Sequence, residues 1–263
     1  MARTRLDTLL VERGLFESRT RAAAAVMAGE VRLGEDGPVA DKPGQLVQGD
    51  ATLVVAAGHE FVSRGGRKLA NALDALGVDP SGRLCLDVGA STGGFTDCLL
   101  QRGAEHVIAL DVAYGELHWR VRNHPKVSVM ERVNARELEP QMLAYRPNLI
   151  VVDVSFISLE KVLPAVLACA DSRFDSLALV KPQFEVGRER VGKGGVVRSA
   201  DDRRSALAAV GESVRELGYS LLGFASSGLP GPAGNRESFA WIAEPGRSGA
   251  LQDVERVARE VEP

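Results

Sequence analysis

Cysteine is scarce in this chain, and each one stands alone. Cys85, Cys98 and Cys169 are the only three in 263 residues, with no CxxC pair and no cysteine-histidine cluster. That pattern excludes a zinc-ribbon site and a disulfide scaffold, predicts buried, reduced thiols, and leaves no metal site to expect. Long apolar runs are also missing. The most apolar helix-like stretch, residues 162–170, is too short to span a bilayer and contains Pro164. The opening MARTRLD has no apolar segment of the signal-peptide kind, so a soluble, cytoplasmic protein is expected. A basic excess is lacking too: 32 Lys and Arg face 35 Asp and Glu, for a formal charge of −3. A nucleic-acid partner would therefore have to be held by a local patch.

What is present divides in two. Residues 1–58 read as a compact unit. Leu6, Leu9, Leu10 and Val11 make a helical stripe over residues 5–14 that Gly14 stops. Ser18 can cap a second helix over 19–28, closed by Gly29, and a strand at Val31–Leu33 and a hairpin over 45–57 follow. On this unit Arg3, Arg5, Arg13, Arg19, Arg21 and Arg32 outnumber Asp7, Glu12, Glu17 and Glu30. Residues 59–67 contain glycine and read as a linker between domains. From Lys68, which is expected to open a helix, to residue 263 apolar strands alternate with amphipathic helices. Strands are expected at 84–88, 107–111, 127–131, 149–153, 177–181, 219–225 and 239–243, with a tail helix over 251–261. This rhythm predicts an α/β fold with a Rossmann-like, mostly parallel sheet whose last strand returns antiparallel.

The segment LCLDVGASTGGFTD is strand, glycine-rich turn, then helix, a layout that brings backbone amides close to a ligand. Gly89, Gly93 and Gly94 do not keep the dinucleotide spacing, because Ser91 stands where the second glycine belongs. Asp87 would repel a pyrophosphate. An acid there suits a cofactor with a cationic amino acid end, such as S-adenosyl-L-methionine. Ala90, Ser91 and Phe95 complete the loop, Asp111 is placed to take ribose hydroxyls, and Asn134 falls near the adenine. A ligand-free βα turn and a nicotinamide site are the alternatives.

Beyond the loop, LALVKPQFE runs a buried strand straight into Lys181, where Pro182 forbids further pairing. A lysine on that rim needs a carboxylate or a substrate, because an unpaired buried charge is costly. Asp153 ends the neighbouring strand in DVSFIS, which lacks the Pro-Pro turn of enzymes that methylate base nitrogens. Cys169, the only cysteine downstream, lies inside a helix, which disfavours the thiolate chemistry of pyrimidine-carbon methylation. Lys68 and Glu237 are the remaining charges of interest. Taken singly, each of the four is also an ordinary surface or capping charge.

The N-terminal pattern RLDTLLVERGLFESRTRAAAAVMAGEVRLG resembles the S4 domain, a module that holds structured RNA. DVGASTGGF is similar to the cofactor loop of the FtsJ/RrmJ-like ribose 2′-O-methyltransferases. Together with SRGGRKL, DVSFISL, LVKPQFE, GGVVR and LPGPAGNRESF, these motifs resemble the TlyA (hemolysin A-like) methyltransferases over nearly the whole chain. The resemblance implies a Lys68–Asp153–Lys181–Glu237 tetrad, S-adenosyl-L-methionine as cofactor and a cytidine 2′-hydroxyl of ribosomal RNA as acceptor. The acceptor is implied in the large subunit and, for some members, the small one. It places Arg5, Arg19 and Arg21 on an RNA face, joined by Arg64 and Arg67 of the linker. A base-modifying enzyme and a non-catalytic assembly factor are the competing readings; a membrane-active hemolysin finds no support in the residues.

Overall fold

In the computed structural model, all residues are described except 1, 2, 17, 28, 29, 36, 41, 56–59, 232 and 263. The chain forms two compact units, residues 1–60 and 61–263. The expected closures of the second helix at 28–29, the end of the 45–57 hairpin and the start of the linker fall outside the described residues.

The first unit begins with a strand not anticipated from the sequence, β1 (Arg3–Arg5), which leads directly into α1 (Leu6–Glu12). α2 (Arg19–Met27), β2 (Val31–Leu33), β3 (Leu46–Gln48) and β4 (Leu53–Val55) follow. The expected hairpin of β3 with β4 does not form. β3 pairs antiparallel with β1, and β4 pairs antiparallel with β2. The reason lies in the turn between them: Arg13 donates to the carbonyls of Gly49 and Ala51, both at 2.7 Å, and so holds it folded onto α1. Leu6, Leu10, Ala22, Val26 and Val31 are buried together as the core of this unit.

The second unit holds α3 (Arg64–Leu76), with Ser63 at its N-cap position. The expected linker is thus helical in its last four residues, and Lys68 lies one turn inside the helix rather than at its start. Gly65 and Gly66 are there for close packing: a Cβ on Gly66 would stand 2.3 Å from Phe61 and 2.8 Å from the Gly94 carbonyl. Without side chains, α3 comes down onto the turn that opens the next helix.

The sheet is built from β5 (Leu84–Val88), β6 (His106–Asp111), β7 (Val127–Glu131), β8 (Leu149–Val152), β9 (Asp175–Val180), β10 (Ser220–Ser226) and β11 (Ser238–Ala243). Its order is β10-β11-β9-β8-β5-β6-β7, with β11 antiparallel to both neighbours and the pairs from β9 through β7 parallel. The helices are α4 (Gly94–Gln101), α5 (Trp119–Arg122), α6 (Leu163–Ala168), α7 (Pro182–Glu185), α8 (Ala200–Glu216) and α9 (Val254–Val261). Strand alternation sorts the core into two layers. Cys85, Val107, Leu149, Val151, Leu177 and Leu179 face Leu69, Leu73, Phe95 and Leu99 of α3 and α4. Leu86, Ile108, Ile150, Val152 and Val180 face α6, α8 and α9. The chain adds strands on one side of β5 (β6, β7) and then on the other (β8, β9), and this switch point opens a crevice at the strand ends beside Gly89.

Candidate active site

Register alone brings three of the four expected tetrad residues to one rim. Asp153 and Lys181 are the first residues beyond β8 and β9, and Glu237 is the last before the reversed β11. The pairing of Ser238 with Val180 sets Glu237 level with Lys181. Lys68 arrives from α3. The Lys181 ammonium lies 2.5 Å from Asp153 Oδ1 and donates to Ser155 Oγ at 2.8 Å. The Lys68 ammonium donates to Glu237 Oε2, both residues being buried. Two lysine–carboxylate pairs thus line one cavity of about 550 Å³, together with Arg64, Gly89, Ala90, Ser91, Gly94, Phe95 and Gln183.

A second cavity, about 530 Å³, shares Gly89, Ser91, Asp153, Ser155 and Phe156 with the first and extends to Asp111 and Asn134. The two therefore meet at Asp153. Gly89 makes the meeting possible: at φ 85, a Cβ there would stand 2.3 Å from the Asp153 carbonyl oxygen. Asp111 accepts from the Ser91 and Ala113 amides at 2.7 and 2.8 Å, which fixes its carboxylate against the glycine turn. Asn134 lines the cavity but is also engaged, capping the turn after it through Arg136 N and donating to Glu137.

Asp87 and Gly93 were expected at the cofactor site and line neither cavity, and neither does Arg67, which was expected on the RNA face. Gly93, at φ 91, is the N-cap of α4 and shapes the turn from behind. Arg67 lies on α3 with its side chain exposed. Asp87 is fully buried beneath the N-terminus of α4; Thr96 donates to its Oδ2 at 2.6 Å, and its Oδ1 has no partner. Burial, and then the nearby Asp153 and Asp111 charges against the Thr96 hydrogen bond, push its carboxyl up to about 7. An orphaned carboxylate oxygen behind a glycine turn fits a ligand with a cationic group, as the sequence suggested.

Several residues of the rim were missed. The Gln183 Oε1 is buried in the tetrad cavity with no hydrogen-bond partner. Phe156 is 91% exposed at φ 64, a backbone conformation unfavourable for a bulky residue, with its ring 5.3 Å from that of Phe184. Glu185 accepts from Ser158 Oγ at 2.7 Å and from Leu159 N at 3.0 Å, tying α7 to the loop after Asp153. Burial raises the Glu185 carboxyl above its ordinary value. The motif strings flagged these segments, but neither strain nor an orphaned atom is visible in a string. Burial also pushes the Cys85 and Cys169 thiols up to about 12 and about 11, which leaves neither as a ready nucleophile.

In the first unit, Arg5 grips the buried Asp7 with two hydrogen bonds, at 2.7 and 3.1 Å, and Arg19 approaches it at 3.4 Å. The hydrogen bonds from Arg5 above all hold the Asp7 carboxyl well below the usual carboxylate range. Both arginines keep half or more of their side chains exposed, and Arg21 is exposed on α2.

The FtsJ-like methyltransferase profile matches residues 61–243, and the S4 domain profile matches residues 4–53. A 16S/23S rRNA (cytidine-2′-O)-methyltransferase TlyA of Mycobacterium tuberculosis is 50% identical, the alignment covering 91% of this chain and 90% of that one. The chain belongs to the TlyA family. A hemolysin A of Brachyspira hyodysenteriae is 35% identical, over 90% of this chain and 98% of that one. A solved structure from Streptococcus thermophilus, 36% identical, superposes with a TM-score of 0.75 over 99% of this family member and 96% of the other. Among the described residues no helix is long and apolar enough to cross a membrane.

Proposed function

We propose that this protein methylates a cytidine ribose 2′-hydroxyl in ribosomal RNA, with S-adenosyl-L-methionine as donor. The observation that carries the reading is the convergence of two lysine–carboxylate pairs on one cavity that meets a second, glycine-lined cavity at Asp153. Gly89, Ala90, Ser91, Gly94, Asp111 and Asn134 would hold the cofactor, with Asp87 beneath the turn as counter-charge. When bound, the cofactor supplies an electrophilic methyl group.

The rest is work for the chain's own residues. Lys181 donates to Ser155 Oγ and stands in ion-pair contact with Asp153 Oδ1, which accepts no hydrogen bond. An ammonium has three donors, so Lys181 keeps one for the acceptor hydroxyl, where a fixed cation stabilises the oxyanion as it develops. Asp153 and Ser155 keep the ammonium from turning away. Lys68 and Glu237, on the far wall, align the ribose, and orientation of this kind can be worth roughly 7–11 kcal/mol. Phe156 and Phe184 offer a stacking face to a base drawn out of its helix, which is how a 2′-hydroxyl would be presented in line. The arginines of residues 1–60 would grip structured RNA in the S4 manner.

The test is methyl incorporation into ribosomal subunits by Lys181→Ala. The expected rate loss is about 10²–10⁴-fold, with calorimetric affinity for S-adenosyl-L-methionine retained. Undiminished transfer would remove Lys181 from the chemistry.

A further inference from the structure

The segment joining α7 to α8 takes no part in the chemistry above, yet it is unusually charged. Residues 187–198 carry Arg188, Arg190, Lys193 and Arg198 against Glu189 alone, a local +3 in a chain whose total is −3. All four cations are exposed. Arg190 is compensated, 3.7 Å from Asp202 and 4.0 Å from Glu189. Arg188, Lys193 and Arg198 have no ion-pair partner among the described residues. Elsewhere in this unit Arg83, Arg102, Arg122, Arg203 and Arg247 all face carboxylates. Three exposed cations without a carboxylate partner on one segment favour an external polyanion.

This basic segment is also built. Gly195 N donates to Gly192 O at 3.1 Å, and Gly192 N to Val196 O at 3.0 Å, closing a tight turn. At its tip Gly194 and Gly195 hold φ of 79 and 77, with open space where a Cβ would stand. Its base is clamped by Asn235, 1% exposed, which takes Val197 N at 2.9 Å and gives its amide to Gly195 O at 2.8 Å. The buried Arg203 adds bonds to the carbonyls of Val197 and Arg198 while its Nε rests on Glu262. Clamped loops lose less entropy on binding than free ones. The loop's location supplies its partner: it leaves α7, whose Gln183 and Phe184 line the tetrad cavity, and its clamp Asn235 stands two residues before Glu237.

We propose that residues 187–198 form a phosphate-binding loop for the acceptor RNA, gripping the backbone beside the nucleotide in the cavity through Arg188, Lys193 and Arg198. The proposal rests on the methyltransferase reading and deepens it. Cationic side chains on a glycine-tipped turn match phosphates that carry no sequence information, so the loop supplies register and affinity rather than base choice.

The test uses full-length protein and large ribosomal subunits from a strain lacking this gene product. The triple variant Arg188→Ala/Lys193→Ala/Arg198→Ala is expected to raise KM for subunits at least about tenfold at roughly 0.15 M salt, with kcat and S-adenosyl-L-methionine affinity unchanged. Its plot of log affinity against log salt should flatten by about 2, because each lost phosphate contact removes roughly 0.7–0.9. Asn235→Ala, which keeps every charge, should raise KM in the same direction. The paired variant Arg256→Ala/Arg259→Ala on α9 should behave as wild type. A wild-type salt slope and KM in the triple variant would overturn the proposal, as would a fall in kcat at constant KM. Failure of wild type to transfer methyl groups at all would instead sink the methyltransferase reading, while the salt slope of binding would still judge the loop.

Discussion

Asp87 is a carboxylate held where water cannot reach it, with one oxygen on Thr96 and the other on nothing. Its raised value of about 7, against 3.8 for the free group, makes it a proton-linked weight on stability. In the unfolded chain it ionises near pH 4; in the fold without ligand it keeps its proton to about pH 7. The native state therefore binds more protons across that interval, and stability falls as pH rises through it. Asp87→Asn is expected to abolish that slope, so that urea midpoints of the two proteins, compared at about pH 5, 6 and 7.5, converge or cross as pH rises. The same substitution should weaken S-adenosyl-L-methionine binding at least about tenfold, because the counter-charge is gone. Parallel stability profiles would remove Asp87 from this role. Lys181 was legible because Pro182 must end the strand, and Asp153 because it ends the adjacent one. Phe156 and Gln183 were not, since a left-handed backbone and an unpartnered oxygen arise only from packing around them.

Elements were legible wherever hydrophobic period decided them. The seven strands of the large sheet fall close to their expected places, because inward and outward residues alternate into two separate cores. Two readings failed where partners, not period, decide. The β3–β4 segment carries the pattern of a hairpin, yet β1 takes one edge and β2 the other. The RGGR stretch has a linker's composition, yet its glycines serve the seating of α3 against the α4 turn, and Lys68 reaches the cavity from the next turn of that helix. Gly66→Ala would gain helix propensity but drive a methyl into Phe61 and the Gly94 carbonyl, and overpacking of that kind costs about 1–3 kcal/mol. The expected result is a melting temperature lower by several degrees and a larger proportional loss of methyl transfer, since Lys68 and the Gly94 turn are displaced together. An unchanged melting temperature with full activity would show that the two helices have room to separate.

Across the whole molecule, the residues assigned to chemistry and the arginines assigned to the S4 face fall in different units with different cores. Every group that lines the two cavities belongs to residues 61–263, while Arg5, Arg19 and Arg21 belong to residues 1–60. Leu6, Leu10, Val26 and Val31 are buried among themselves, so the first unit does not need the large sheet to cover its apolar face. On the proposed function, the S4 unit would raise local substrate concentration: once it held RNA, engagement of the cavity would be effectively intramolecular. Binding energy of that sort lowers KM without touching the chemical step. Residues 61–263 alone are therefore expected to bind S-adenosyl-L-methionine with affinity within about twofold of the full chain, by calorimetry. Their kcat/KM for large subunits should fall roughly 10²-fold or more, with much of the rate recovered at saturating substrate. Loss of cofactor binding on truncation would mean that the cavities depend on the first unit for their shape. Retention of full kcat/KM would move RNA capture to the large unit, leaving the 187–198 loop and Arg64 to account for it.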